Sequence, residues 1–459
     1  MISRCLVLIL SVCCLAAAPI DVGSRVEMFV DQHLIDKKQN VEQHLTEPTK
    51  REVVLELDKP WEGPVSAYYT VFRDGEKIRL YYRGGEDFTC YAESSDGVHF
   101  TRPALGLIEH KGSKANNVLF HDPQDTSFAA FRDDNPDAKP DEKYKALSYT
   151  VIDGHHGGMT AWASPNGIAW RRMSEKSVVP FGSYDSLNCA SWDAIEKQYR
   201  VFDRYWTSGA FAGFRAIETR TSKDFLTWSA PTPFKYAEGV PIEHFYTGAV
   251  TRCPGAEHVW LAFPKRFVPE RKNVASHKEV GVSDAMFMSS RDGVNWDRPF
   301  LEAWVRPGRD ERNWTERNNM PAWGIIETPG DPGTFSMYIS EHYRWPTNRL
   351  RRLTIRKHGF ASMRAGAGAK EGEFVTKPMK YAGDRLTLNF ATSAAGSVRV
   401  ELQDESGKPL AESEAIYGDE LEQSISWKSD NAIAAQAGKP VRLRFVLRDA
   451  DVYAFRFAP

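Results

Sequence analysis

Short apolar runs recur along the middle of the chain: Ala67 to Phe72, Ile78 to Tyr82, Phe128 to Phe131, Tyr144 to Tyr149, Val201 to Asp203, His258 to Phe263, Ile325-Ile326 and Phe335 to Ile339. They are rich in aromatic and β-branched residues and are cut by Gly, Pro and Asp, which predicts strands separated by turns. Between them a phrase repeats: Ser95-Asp96-Gly97-Val98-His99-Phe100, Ser164-Pro165-Asn166-Gly167-Ile168-Ala169-Trp170, Ser222-Lys223-Asp224-Phe225-Leu226-Thr227-Trp228 and Ser290-Arg291-Asp292-Gly293-Val294-Asn295-Trp296, with a weaker copy at His358-Gly359-Phe360. Asp-Gly or Asn-Gly supplies the positive backbone angles of a tight hairpin, and the aromatic starts the next strand. The closing aromatics Phe100, Trp170, Trp228, Trp296 and Phe360 stand 70, 58, 68 and 64 residues apart. Four strands per unit of that length describe a propeller blade longer than the ~40–50 residues of the best-known repeats.

Past Ala365-Gly366-Ala367-Gly368-Ala369 the texture changes. Leu386 to Phe390, Ser397 to Leu402 and Val441 to Leu447 follow, the last alternating Leu443, Phe445 and Leu447 with Arg442, Arg444 and Arg448, as a half-buried strand does. The expected fold class is therefore all-β: a five-bladed β-propeller over residues 19–365, with an N-terminal strand segment, followed by a C-terminal β-sandwich over 370–459.

Composition narrows the function. The 459 residues are 42% apolar and 12% aromatic, and 59 Lys+Arg stand against 61 Asp+Glu without a basic tract. A nucleic-acid partner is not indicated, since phosphate binding needs such a tract. Residues 1–18 differ from the rest: Arg4, an apolar run from Cys5 to Leu15, then three alanines before Pro19. This is the shape of a secretory signal peptide, too short for a comfortable membrane span, so the expectation is a secreted or periplasmic protein with no integral span after cleavage. Cys13 or Cys14 as a lipid-attachment site is the alternative, although Ser11-Val12 lacks the small residue expected before Cys13. Cys90, Cys189 and Cys253 remain and lie far apart, so packing rather than a disulfide framework must stabilise the fold.

If each blade runs outward from the axis, the start of its first strand, the end of its second and the start of its third open on one face. The Asp-Gly phrases fall on the other. On the first face stand Glu62, Asp125, Asp185, Glu243-His244 and Glu316-Arg317-Asn318-Asn319, and at second-strand ends Arg83 to Asp87, Asp203-Arg204-Tyr205-Trp206, Pro264-Lys265-Arg266 and Glu341-His342-Tyr343-Arg344. Acids, Arg, His and aromatics thus converge, as in a pocket where carboxylates can serve as acid and base. Glu62, between Trp61 and Gly63-Pro64, reads as a turn residue. Asp185 enters an otherwise apolar strand, where an unpaired charge is costly.

The repeated Ser-x-Asp phrase with its closing Trp and the C-terminal β-sandwich resemble the five-bladed propeller glycosidases of glycoside hydrolase families 32 and 43. Phe29-Val30-Asp31, Tyr184-Asp185-Ser186-Leu187-Asn188, Arg317 to Gly324 and Ser340-Glu341-His342-Tyr343-Arg344 also resemble, nearly end to end, a set of secreted bacterial glycosyl-hydrolase-like proteins. In those families one Asp comes from the first blade, a second from the second blade and a Glu acid from the third. Here the second blade offers Asp125 and the third offers Asp185 in place of Glu; Asp31 fills the first role if the N-terminal strand enters the ring.

The resemblance implies a carbohydrate substrate cut between paired carboxylates. The expected roles are Glu243 as acid, with His244 and Lys265 setting its environment, and Asp185 as nucleophile or base. Asp125 and Glu316 orient substrate. Tyr246, Arg317, Asn318, Glu341, Arg344, Trp206 and Asp31 bind it. No cofactor or metal is implied; an axial Ca²⁺ would suit such a funnel, but no Asp-rich loop of specific spacing supports it. Two other classes remain in view, a non-catalytic glycan-binding propeller and a sialidase-like enzyme with clustered Arg and a tyrosine nucleophile.

Overall fold

The computed structural model describes residues 18–459 apart from positions 123, 124, 154, 155, 210, 369 and 430, so residues 1–17 of the expected leader lie outside the described residues. The fold is all-β, and the helical segments among the described residues are short 3-10 turns. No helix among those residues is long and apolar enough to cross a membrane.

Antiparallel sheets follow one another along the chain. The first runs Ala67–Asp74, Lys77–Arg83, Phe88–Ser94, Val118–His121 in spatial order. Next comes Asp125–Arg132, Tyr144–Asp153, His156–Ser164 and Arg171–Arg172, with Val179–Gly182 also on its third strand. The third is Cys189–Asp193, Gln198–Trp206, Arg215–Ser222 and Thr232–Pro233. A fourth is broken into two ladders, one through Lys265–Val268 and one through Ala256–Ala262. Bonds from Tyr246 N to Lys265 O (2.8 Å), Lys265 N to Thr247 O (3.1 Å) and Phe263 N to Gly248 O (3.0 Å) splice them. The fifth pairs Thr334–Glu341 with Arg349–Arg356, and its outer strand is Thr49–Glu56, from far earlier in the chain. Residues 320–326 line its other edge, with Ala322 N on Tyr338 O (2.9 Å) and Ser340 N on Met320 O (3.0 Å).

The first strands of these sheets meet. Val71 N donates to Trp323 O (2.8 Å) and Trp323 N to Tyr69 O (2.9 Å). The Trp323 indole reaches Val250 O (2.8 Å), and Ser186 Oγ reaches Tyr246 O (2.7 Å). Four different sheets are thereby tied at one centre.

The repeated phrase joins third to fourth strands and works through its side chains. Asp96 Oδ1 accepts from Val98 N and His99 N (both 2.8 Å), and Ser94 Oγ accepts from Gly97 N (2.9 Å). The serine is thus Ser94, one residue before Ser95, which brings the first copy into line with Ser164, Ser222 and Ser290. Only the residue after the Asx is left-handed: Gly97, Gly167 and Gly293 at φ +75°, +77° and +75°, and Phe225 at +66° in the copy without glycine. Phe225 bears that backbone cost, of order 1 kcal/mol or more, inside an aromatic cluster with Tyr199 and Trp228 at 5.1 and 5.6 Å. His358-Gly359-Phe360 is a different element, the exit from Arg349–Arg356 into Ala361–Ala365.

The remaining sheet has eleven strands and draws on both ends of the chain. Its spine is two long strands, Arg385–Asp404 and Val441–Ala458, paired over most of their length with a register break between Thr392 and Ser397. Val26–Met28 pairs with the second of them, Ile35–Gln39 with Gly372–Thr376, and Glu42–Leu45 with Ala361–Ala365. Residues 20–45 therefore pair with the C-terminal strands and with Ala361–Ala365, at the end of the segment 19–365 to which sequence pattern assigns them. Their apolar side chains serve two cores: Phe29 lies edge-on to Phe374 (5.1 Å) and Phe445 (5.9 Å) within the core of the eleven-stranded sheet, while Met28, Val30 and Leu45 join the core of the fourth and fifth sheets. Cys90, Cys189 and Cys253 are buried free thiols.

Candidate functional site

Where the first strands meet, a bulge turns one side chain across the centre. The register between Ala67–Asp74 and Lys77–Arg83 shifts between Ala67 and Thr70, and Tyr68 within it takes φ +59°. The same device recurs at Ser127 (φ +56°) in the second sheet, beside a shift between Thr126 and Ala129. A non-glycine residue held there stores strain that the surrounding structure must impose, a frequent mark of functional sites.

The Tyr68 hydroxyl stands 3.4 Å from Asp185 Oδ1 and 3.0 Å from the Tyr246 hydroxyl. Burial, then the Asp185 carboxylate, pushes the Tyr68 phenol well above its ordinary pKa, so Tyr68 keeps its proton and can donate it to Asp185. Asp185 is half-buried beside the buried Tyr184 and Ser186. Three sheets thus contribute one hydrogen-bonded array.

Cations surround it. Lys265 Nζ lies 4.1 Å from the centroid of the Tyr246 ring, the Arg204 guanidinium 5.0 Å, and those of Arg215 and Arg317 each 5.7 Å. Arg83 covers Tyr68 at 4.7 Å. Tyr343 receives Arg317 Nη1 at 3.2 Å. Burial, reinforced by Arg317, Arg215 and Arg204, drives the Lys265 ammonium well below its usual pKa. For the same reasons, burial first and then Arg204, Arg215 falls to about 10. His244 Nδ1 accepts from Arg215 N (3.1 Å), which places its remaining proton on Nε2; burial and then Arg215 lower its pKa.

Glu316 borders the array through Arg344 (2.5 Å) and Arg317 (3.5 Å). Its loop and the segment after Thr334–Glu341 that packs on it are strained: Arg317, Asn319, His342 and Arg344 all have φ between +54° and +65°. Asn318, fully buried, holds the loop by donating to Thr315 Oγ1 (2.7 Å) and accepting from Tyr343 N (2.7 Å). Asn318 is therefore scaffold for its neighbours.

Other sequence-selected residues fall elsewhere. Glu243 lies between Arg266 (3.0 Å) and Arg298 (2.5 Å), one carboxylate oxygen to each, in a cleft with Asp284 and Trp314. Glu341 is buried among Arg349 and Arg351, both at 2.9 Å, and Lys50. Asp31 is gripped by Arg291 at 2.8 Å, where the eleven-stranded sheet packs on the fourth sheet. Trp206 has one ring face covered by Arg215 at 4.2 Å. Asp125 opens Asp125–Arg132, paired with Thr150, and its side chain lies outside the described residues. Glu62 accepts from Lys59 N at 3.1 Å across its own turn, and also from the distant Arg102 at 2.7 Å and Tyr82. No group of three or more metal-ligating side chains occurs among the described residues.

Sequence reasoning did not select Tyr68, Arg215 or Tyr343 as binding residues, although Tyr343 stood in a funnel-face stretch. Arg215 was within reach, because it opens the third strand of its sheet on that same face. Tyr68 was hidden inside the strand-like run Ala67 to Phe72, where a bulge leaves no trace in composition.

No family model matches the chain, and no curated protein matches it. Solved structures similar to it include a glycoside hydrolase family 43 arabinoxylan arabinofuranohydrolase from Bacillus subtilis (9% identity, 86% of this chain and 96% of that one, TM-score 0.40). A Bombyx mori family 32 β-fructofuranosidase is similar at 10% identity over 91% of this chain and 94% of that one, TM-score 0.43. An N-acetylgalactosamine deacetylase from F. plautii matches at 12% identity, 69% and 96% coverage, TM-score 0.45.

Proposed function

We propose that this protein is a secreted glycoside hydrolase whose five successive sheets are propeller blades around the Tyr68–Asp185–Tyr246 centre, with the eleven-stranded sheet as its β-sandwich. The observation that carries the reading is the centre itself: one carboxylate with, among the described residues, only a phenol on it, near the point where first strands from several sheets converge. Asp185 supplies the ionised carboxylate, as nucleophile or as base for water. The second carboxylate is Glu316, across Arg317 and Tyr343. Glu243, held by Arg266 and Arg298 in a separate cleft with Asp284 and Trp314, supports the wall of that cleft.

The crowd of cations around the Tyr246 ring favours a second reading, in which Tyr246 is the nucleophile, as in sialidase-like enzymes. Asp185 would then take its proton by way of Tyr68. Release of reducing sugar from a panel of polysaccharides and oligosaccharides tests both. Asp185→Asn should lower release by about 10²–10⁴-fold with unchanged circular dichroism. Full activity of that variant removes Asp185 from the mechanism, and loss in Tyr246→Phe with retention in Glu316→Gln selects the tyrosine route. A chain that binds a glycan and releases nothing is a binding module.

A further inference from the structure

We propose that the floor of this site binds the anionic substituent, a carboxylate or a sulfate, of an acidic saccharide. The inference deepens the hydrolase reading by naming its substrate class, and it rests on that reading only for the identity of the ligand as a sugar.

The argument is one of unbalanced charge. Elsewhere in the molecule buried cations face carboxylates: Arg291 has Glu27 and Asp31, Arg266 has Glu243 and Asp284, and Arg220 has Asp203 and Glu218. Around Tyr246 the pattern fails. Among the described residues Arg204 gives Nε and Nη2 to the Ser183 carbonyl (3.1 and 2.7 Å), not to an acid. Arg215 has aromatic neighbours, Trp206 at 4.2 Å and Phe267 at 5.0 Å, and its Nε is buried without a hydrogen-bond acceptor among the described residues. Lys265 is completely buried, and its Nζ has no hydrogen-bond acceptor among the described residues either. Among the described residues of this group only Arg317 has a carboxylate within 4 Å, Glu316 at 3.5 Å, and Glu316 is closer to Arg344; Asp185 and Glu316 act on Arg215 and Lys265 from beyond ion-pair distance and do not outweigh burial and the neighbouring cations.

Unpaired buried cations that repel one another are costly, and the cost is removed by an anion seated among them. Guanidinium and ammonium groups donate and never accept, so the complementary group is one made of acceptors alone. A neutral sugar brings hydroxyls, which must also find acceptors. A carboxylate or sulfate brings two or three acceptor oxygens and the missing charge, and a guanidinium takes it in two parallel bonds. Arg215 and Arg317 are part-exposed and can touch the ligand; Arg204 and Lys265 lie beneath and set the potential.

The test is titration calorimetry on the full chain with three probes: an oligogalacturonate, a sulfated galacto-oligosaccharide and a neutral oligosaccharide of the same length. At least one acidic probe should bind about tenfold or more tighter than the neutral one, as expected for one charge-assisted pair, and should weaken as salt is raised. Which acidic probe does so identifies the source of the charge. Buried variants of Arg204 or Lys265 can misfold, so the variant is Arg215→Gln, checked by circular dichroism. It should bring acidic binding down to the neutral level, with Arg215→Lys restoring part of it. Equal binding of all probes, no binding of any, or an acidic preference that survives Arg215→Gln overturns the proposal. Tight acidic binding without sugar release upholds it and rejects the hydrolase reading; cleavage of the neutral probe with no acidic preference does the reverse.

Discussion

Two buried clusters of charge serve this chain in different ways. At the seam between the eleven-stranded sheet and the fourth sheet, Glu27 is fully buried and meets Arg25 at 2.6 Å, Arg291 at 3.1 Å and His258 at 3.3 Å, while Asp31 takes the other side of Arg291. Every charge there has a partner of opposite sign. Around Tyr246, Arg204, Arg215 and Lys265 have no carboxylate within ion-pair distance among the described residues, and Asp185 and Glu316 act on Arg215 and Lys265 only from farther off. The difference teaches how to tell a strut from a receptor when both are buried and polar: a strut closes its own electrostatic balance, and a receptor leaves it open for something that arrives.

The contrast yields opposite signs on mutation. Arg291→Met strands Glu27 and Asp31 without their shared guanidinium and should cost about 3–5 kcal/mol, the usual penalty for breaking a buried pair from one side, read as the urea midpoint. Acid attacks the same strut. Burial alone would raise the Glu27 carboxyl, but the His258 hydrogen bond, Arg291 and Arg25 overcome it and hold Glu27 at about 2. Its folded value lies below its unfolded value of 4.5, so its contribution is complete above that pH and is lost as pH falls toward 2. A pH series of thermal midpoints should show that loss, and Glu27→Gln should flatten it. Lys265→Met should act the other way. Removing a buried amine without an acceptor should stabilise the empty protein by about 1–3 kcal/mol while weakening acidic-saccharide binding. Arg215→Gln, part-exposed, should shift stability by about 0.5 kcal/mol or less. If Lys265→Met destabilises as Arg291→Met does, the two clusters are of one kind and the comparison fails.

Legibility in sequence followed the distance over which each feature is encoded. The Ser-x-Asp turns are local, since each serine and Asx caps amides two or three residues on, and they could be read along with the strands they join. The placement of Thr49–Glu56 on Arg349–Arg356 could not, because Glu52 and Arg352 are 300 positions apart and each strand reads as ordinary alone. Asp185 was visible as a charge in an apolar run, although that run is the connection between Val179–Gly182 and Cys189–Asp193 and not the strand expected. Glu243 stood out equally as a dense polar stretch, but the guanidiniums that occupy it come from other strands, and sequence does not reveal which acids are already taken. The open cluster was half visible: Arg204 and Lys265 end second strands on the expected face, whereas their lack of counter-charge is a property of the assembled molecule.

The placement of Thr49–Glu56 also bears on how the molecule is made. Its hydrogen-bonding partner is synthesised about 300 residues after it, and Val26–Met28 waits longer still, for Val441–Ala458. At ~5–20 residues per second the early strands spend many seconds as unpaired edges, the kind of surface that recruits other chains. A polypeptide crossing a membrane before it folds would meet that interval on the far side, complete, with both clasps able to close at once.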